Sequence, residues 1–193
     1  MKTAFLGMAL VLARVQDGAE QILPLKVGSV WEYKGKKSGK PANEKWEITK
    51  TEKKGGNDCF LLRMTGGDQS YGLYVRITQE GVRIEDAGLK QISDEERYLL
   101  KFPLDPGAKA SIFFSAPDPA VVEEKTEEIN VPAGKFTCVV LKDASAIPGL
   151  GKMTHRQWIA RGTGFVKSET VWVRENNVTS TDTMELEKYS PGK

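Results

Sequence analysis

From Gln21 onward, apolar and polar residues alternate in short segments, and Gly, Pro, Asn or Asp interrupts them every eight to twelve residues. Alternation with a period of two places one face of a strand on a core and the other in water, so the pattern predicts an all-β protein. Trp31 and Tyr33 share a face in SVWEYK, with Glu32 and Lys34 opposite. Trp46 and Ile48 do the same in KWEITK, as do Leu73, Val75 and Ile77 further on. The middle of NDCFLLRMT, residues 57–65, is apolar on both sides, as a covered strand requires. Six strands are expected in the first half, starting near Ser29, Lys45, Asn57, Gly72, Val82 and Arg97, with a helical turn at Ser93–Glu96 capped by Ser93.

The same punctuation then recurs. Pro24 and Pro103, Gly28 and Gly107, Gly55 and Gly134, and Cys59 and Cys138 all lie 79 residues apart, and CFLLR (59–63) matches CVVLK (138–142) in pattern. Past the loop at Ser145–Gly151 the offset grows, Gly81 answering Gly164. A second set of six strands is therefore expected near Lys109, Val121, Lys135, Met153, Gly164 and Val178. A single unit of this kind cannot cover its own apolar face, so two copies share one core. The expected architecture is a strongly curved, open antiparallel sheet, a half-barrel of about twelve strands. It comprises one domain over residues 20–193, with repeats at about 21–101 and 102–190.

Composition changes this picture only at the ends and the margins. Residues 4–13 (AFLGMALVLA) follow Met1-Lys2 and precede polar residues. Ten apolar residues are too few to span a bilayer but suit a secretory signal, expected over residues 1–19. That places the protein outside the cytoplasm, periplasmic or extracellular in a bacterium, with no membrane-spanning segment. Basic residues number 28 and acidic ones 26, so no basic face for nucleic acid is implied. The run Lys34–Lys40 (KGKKSGK) reads as a solvated hairpin tip.

Chemistry-bearing residues are sparse. Two cysteines in an exported chain suggest a disulfide, but on the third strands of successive six-strand units they stand about 29 Å apart at roughly 4.8 Å per strand. A disulfide needs Cα atoms within about 7 Å, so two separate buried thiols are expected. His155 is the one histidine, and a metal site built on histidine or cysteine is excluded by count. The acidic groups at 94–96, 123–124 and 127–128 read as solvated edges, because adjacent strand residues point to opposite faces. Gly162-Thr163-Gly164 precedes a strand rather than a helix, which makes it a hairpin turn and not a phosphate loop. No catalytic residue and no cofactor is expected. An enzyme would require His155 in a cleft beside a carboxylate.

The segments PLKVGSVWEYK, VPAGKFTCVVL and WIARGTGFVKSE resemble the TapB-like group of exported bacterial proteins, which is similar in architecture to the LolA and LolB lipoprotein carriers. That resemblance covers nearly the whole chain after the export segment. It implies a curved sheet whose concave side holds an acyl chain, and it brings no catalytic residues with it. The residues expected to line such a cleft are Trp31, Tyr33, Trp46, Trp158 and Phe165. The function expected is binding of a hydrophobic ligand or lipidated partner by a monomer. The alternative is an adaptor β-domain that contacts another envelope protein.

Overall fold

Strand propensity and alternation carry into thirteen strands among the described residues. The computed structural model describes residues 19–86, 98–110, 120–123, 125–147, 151–174 and 179–193. One helical turn, α1 (Ala19–Ile22), leads into β1 (Val30–Lys37), β2 (Lys40–Lys54), β3 (Asn57–Gly66), β4 (Gln69–Thr78), β5 (Gly81–Asp86) and β6 (Tyr98–Lys101). The second half holds β7 (Lys109–Ala110), β8 (Ala120–Val122), β9 (Glu127–Val131), β10 (Gly134–Ile147), β11 (Gly151–Ala160), β12 (Gly164–Val173) and β13 (Thr179–Ser190). The expected helical turn at 93–96 lies outside the described residues, as does all but the last residue of the export signal expected over residues 1–19.

All pairings are antiparallel, in the order β6-β5-β4-β3-β2-β1-β13-β12-β11-β10-β8-β7, with β9 also on β10. The sheet curls into a nearly closed, barrel-like form. Two details differ from the sequence expectation. A continuous meander would join the halves through the sixth and seventh strands, but these are short and form the two edges. The seam instead runs between the first and last strands, where β1 pairs with β13 from Val30↔Ser190 to Lys36↔Thr183. The strand expected from Val121 is also divided. β8 pairs with Leu141 and Lys142 of β10, whereas β9 pairs with Gly134–Cys138 of the same strand. Glu123, just past β8, and Glu127, the first residue of β9, both accept from Arg156, at 2.9 and 2.7 Å.

Apolar faces from both halves meet inside the curl. Trp31, Ile48, Leu62, Leu73, Val75 and Ile84 come from the first half, and Val140, Leu141, Ile159, Val166 and Leu186 from the second. Ile22 and Leu23 plug the end beside the β11–β12 turn, and the Gly162 N–H donates to the Gln21 carbonyl at 2.7 Å. Leu23 lies so close to Gly164 (φ 86°) that a Cβ there would meet its Cδ1 at 2.4 Å, which requires glycine on steric and conformational grounds together.

Cys59 on β3 and Cys138 on β10 are both buried and free, six steps apart in the strand order. Burial raises both thiols, Cys138 to about 11, with the charge of Glu127 adding to the effect. A thiol with a raised pKa stays protonated and unreactive at pH 8. Native protein at pH 8 should therefore react slowly with a thiol reagent, and denatured, unreduced protein should release two equivalents. A count of zero after denaturation would contradict the strand order.

Candidate functional site

The concave face holds a cavity of about 250 Å³ lined from β1, β2, β4, β11, β12 and β13. Its apolar wall follows from alternation. Tyr33, Trp46 and Phe165 each point inward from their strands, and the β1–β13 seam brings the halves close enough for the three rings to pack. Tyr33 and Trp46 have ring centroids 5.3 Å apart, and Trp46 meets Phe165 edge-on at 5.5 Å. Such tilted contacts match the positive edge of one ring to the negative face of another. The Tyr33 hydroxyl donates to the Phe165 carbonyl at 3.0 Å. Burial, helped by the charge of Glu44, pushes that phenol well above its ordinary pKa, so it remains a neutral donor. Met184 on β13 extends the wall.

The opposite wall is polar. His155 and Gln157 lie two residues apart on β11, so both face inward and line the cavity. Register across the sheet aligns Asp143, His155, Thr170 and Asp182 on β10, β11, β12 and β13. Asp143, His155 and Gln157 are 4%, 6% and 4% exposed. His155 Nδ1 lies 3.4 Å from Asp143 Oδ2, and its Nε2 lies 3.4 Å from the Gln157 amide nitrogen. A carboxylate only accepts, so in the neutral imidazole Nδ1–H donates to Asp143 and Nε2 accepts from the Gln157 N–H.

The charges at the rim are already engaged. Lys37 pairs with Glu44, Lys167 Nζ donates to Glu185 at 2.8 Å, and the Ser38 N–H donates to Asp182 Oδ1 at 2.7 Å. A second hollow of about 440 Å³ continues along β2, β3 and β4 and shares Lys37, Glu44 and Tyr71 with the first.

Of the five aromatics singled out in the sequence, Tyr33, Trp46 and Phe165 meet in this cavity and two do not. Trp31 is spent on the seam, stacked on Tyr189 at 5.3 Å with its indole N–H donating to the Thr163 carbonyl at 2.6 Å. Trp158 follows Gln157 directly and so turns to the other face of β11. There its N–H donates to Glu127 at 2.7 Å, while the Arg156 guanidinium lies 4.7 Å from its ring centroid. The Trp158 and Arg156 hydrogen bonds hold the Glu127 carboxyl below the usual carboxylate range.

Sequence reasoning did not reach Gln157 or Asp143. Gln157 was within reach, since it shares a strand face with His155, but Asp143 needed the β10–β11 register. His155 does lie in a cleft beside a carboxylate. A hydrolytic triad needs a hydroxyl against the far ring nitrogen, and the Gln157 amide occupies that position. Among the described residues, no group of three or more His, Cys, Asp and Glu side chains could hold a metal. No helix among them is long and apolar enough to cross a membrane.

No curated protein matches the chain. Residues 121–184, which run from β8 into β13, match the DUF3108-like family. Among solved structures, the chain is similar to a proposed exported protein with a YmcC-like fold from Bacteroides fragilis. The two are 14% identical with a TM-score of 0.54, over 88% of this chain and 98% of that one. A proposed lipoprotein from Parabacteroides distasonis aligns over 87% of this chain and 97% of its own, at 14% identity and a TM-score of 0.46. These findings name a DUF3108-like match and a YmcC-like fold where the sequence motifs resembled the TapB-like and LolA-like proteins. At such identity the Bacteroides protein speaks to architecture alone, and the chain shares with it a curved, nearly closed antiparallel sheet.

Proposed function

We propose that this is a non-enzymatic envelope protein, exported in a bacterium, that binds a small amphipathic ligand in the concave face of its sheet. The observation that carries this reading is the cavity itself, with the Tyr33–Trp46–Phe165 wall on one side and His155 and Gln157 on the other. Ligand pockets are mainly apolar with a few polar groups that fix orientation. About 250 Å³ admits about eight heavy atoms at roughly 30 Å³ each, water's share of the liquid. The site therefore suits a short alkyl or ring system, or the end of a longer chain that continues into the adjoining hollow. An exported, YmcC-like structural neighbour supports the envelope setting. Cys59 stands on the third strand of its half and Cys138 on the fourth, after the strand expected from Val121 divides into β8 and β9.

The neutral, environment-sensitive dye N-phenyl-1-naphthylamine, larger than the cavity alone and reaching into the adjoining hollow, tests this reading. Its emission should rise and shift to the blue on the folded protein, and Trp46→Ala should weaken binding by about tenfold, the loss of one aromatic contact surface. Trp158→Ala, on the other face, should leave it unchanged. Absence of binding, or binding indifferent to Trp46→Ala, would leave the adaptor reading, with β6 and β7 as the free sheet edges.

A further inference from the structure

We propose that the polar end of the ligand is a hydrogen-bond donor, an ammonium above all, received by Gln157 Oε1 with the Asp143 carboxylate behind it. This assignment rests on the concave-face binding just proposed and fixes the chemistry of the ligand's head. The hydrogen-bond network has a direction. The Gln157 amide spends an N–H on His155, and His155 spends its own N–H on Asp143. What this chain of three side chains leaves over is acceptors. Gln157 Oε1 and Asp143 Oδ1 have no hydrogen-bond partner among the described residues, although both residues are more than nine-tenths buried. Buried polar groups are nearly always partnered, and Gln157 lines the cavity, so its unpartnered acceptor calls for a donor from whatever enters.

Charge gives the same answer. Asp143 is a buried carboxyl whose one hydrogen bond, to His155 Nδ1, is long at 3.4 Å, and a buried carboxylate is costly unless compensated. A cation held at Gln157 supplies that compensation. A carboxylate or phosphate head would face the Gln157 carbonyl and the Asp143 charge instead. The cations at the rim offer it little, since Lys37 and Lys167 are already paired with Glu44 and Glu185. The apolar part of the ligand then lies against Trp46, Phe165 and Met184.

Matched eight-carbon competitors for the bound dye at pH 7 decide the point: octylamine (protonated at that pH), 1-octanol and octanoate. Octylamine should displace the dye at a concentration at least about tenfold lower than octanoate, with octanol between them, because rejection of the anion is built into the acceptors. Gln157→Leu should weaken octylamine by about tenfold, octanol by less, and octanoate not at all. Asp143→Asn should narrow the gap between amine and acid. Should that buried substitution unfold the protein, as judged by circular dichroism, the wild-type ranking and the Gln157→Leu variant still decide. Octanoate equal to or better than octylamine on the wild type overturns the donor assignment while leaving concave-face binding intact. No dye binding at all overturns both.

Discussion

Gly35→Ala should destabilise the protein by more than about 3 kcal/mol, the upper range of overpacking costs. Gly35 sits in the middle of β1, opposite Met184 of β13 and Ala42 of β2. A Cβ there would lie 1.7 Å from the Thr183 carbonyl oxygen and 2.9 Å from the Met184 Cα. Both obstacles are backbone, so no side chain can rotate away, and β1 must part from β13. That seam is where the two halves of the sheet meet, and its loss separates the aromatic wall from the Phe165 side of the cavity. Gly39→Ala is the comparison. At φ 76° with nothing within 4 Å of its Cβ position, it carries only the local backbone penalty, about 1 kcal/mol. Denaturant midpoints for the two variants measure the difference. A Gly35→Ala midpoint equal to that of Gly39→Ala would mean that the seam yields and is not what holds the halves together.

Where the strands begin was legible because alternation and turn residues are local. Expected starts at Asn57, Lys109 and Gly164 coincide with those of β3, β7 and β12, and most others fall within three residues. The hairpin turns read in Lys34–Lys40 and Gly162–Gly164 fall at Ser38-Gly39 and at 161–163, with Lys34–Lys37, Lys40 and Gly164 already in strands. Which strands pair across the chain was not legible. The β1–β13 seam joins residues about 150 apart, and nothing in the composition of either strand names the other. The same limit applies to the site. Alternation alone put Tyr33, Trp46 and Phe165 on inward faces, but Trp158 is one residue out of phase with His155 and Gln157. A large aromatic residue on a strand covered on both faces does not declare its side. Trp158 is buried and meets Glu127 of β9 on that other face, and β9 was the strand that the sequence did not resolve from β8. The Asp143–His155 contact likewise depends on the β10–β11 register, which a one-residue slip would abolish.

Trp31 separates stability from binding. Its indole is 1% exposed, stacks on Tyr189 of β13, and donates to the Thr163 carbonyl in the β11–β12 turn. One side chain thus ties β1 to the last strand and to a hairpin 132 positions away. Trp31→Ala should cost about 3–5 kcal/mol through lost burial and the cavity left behind. Trp31→Phe keeps most of the packing and removes the donor, leaving the Thr163 carbonyl short of a partner, for about 1–2 kcal/mol. Because Trp31 does not line the concave cavity, the folded Trp31→Phe protein should bind N-phenyl-1-naphthylamine with wild-type affinity. Trp46→Ala should show the opposite balance, with binding lost in a protein that still folds. If Trp31→Phe lost binding while keeping a wild-type denaturation midpoint, the ring would have to reach the ligand. The cavity would then extend past Tyr33 toward the β11–β12 turn, and Trp31 would join its wall.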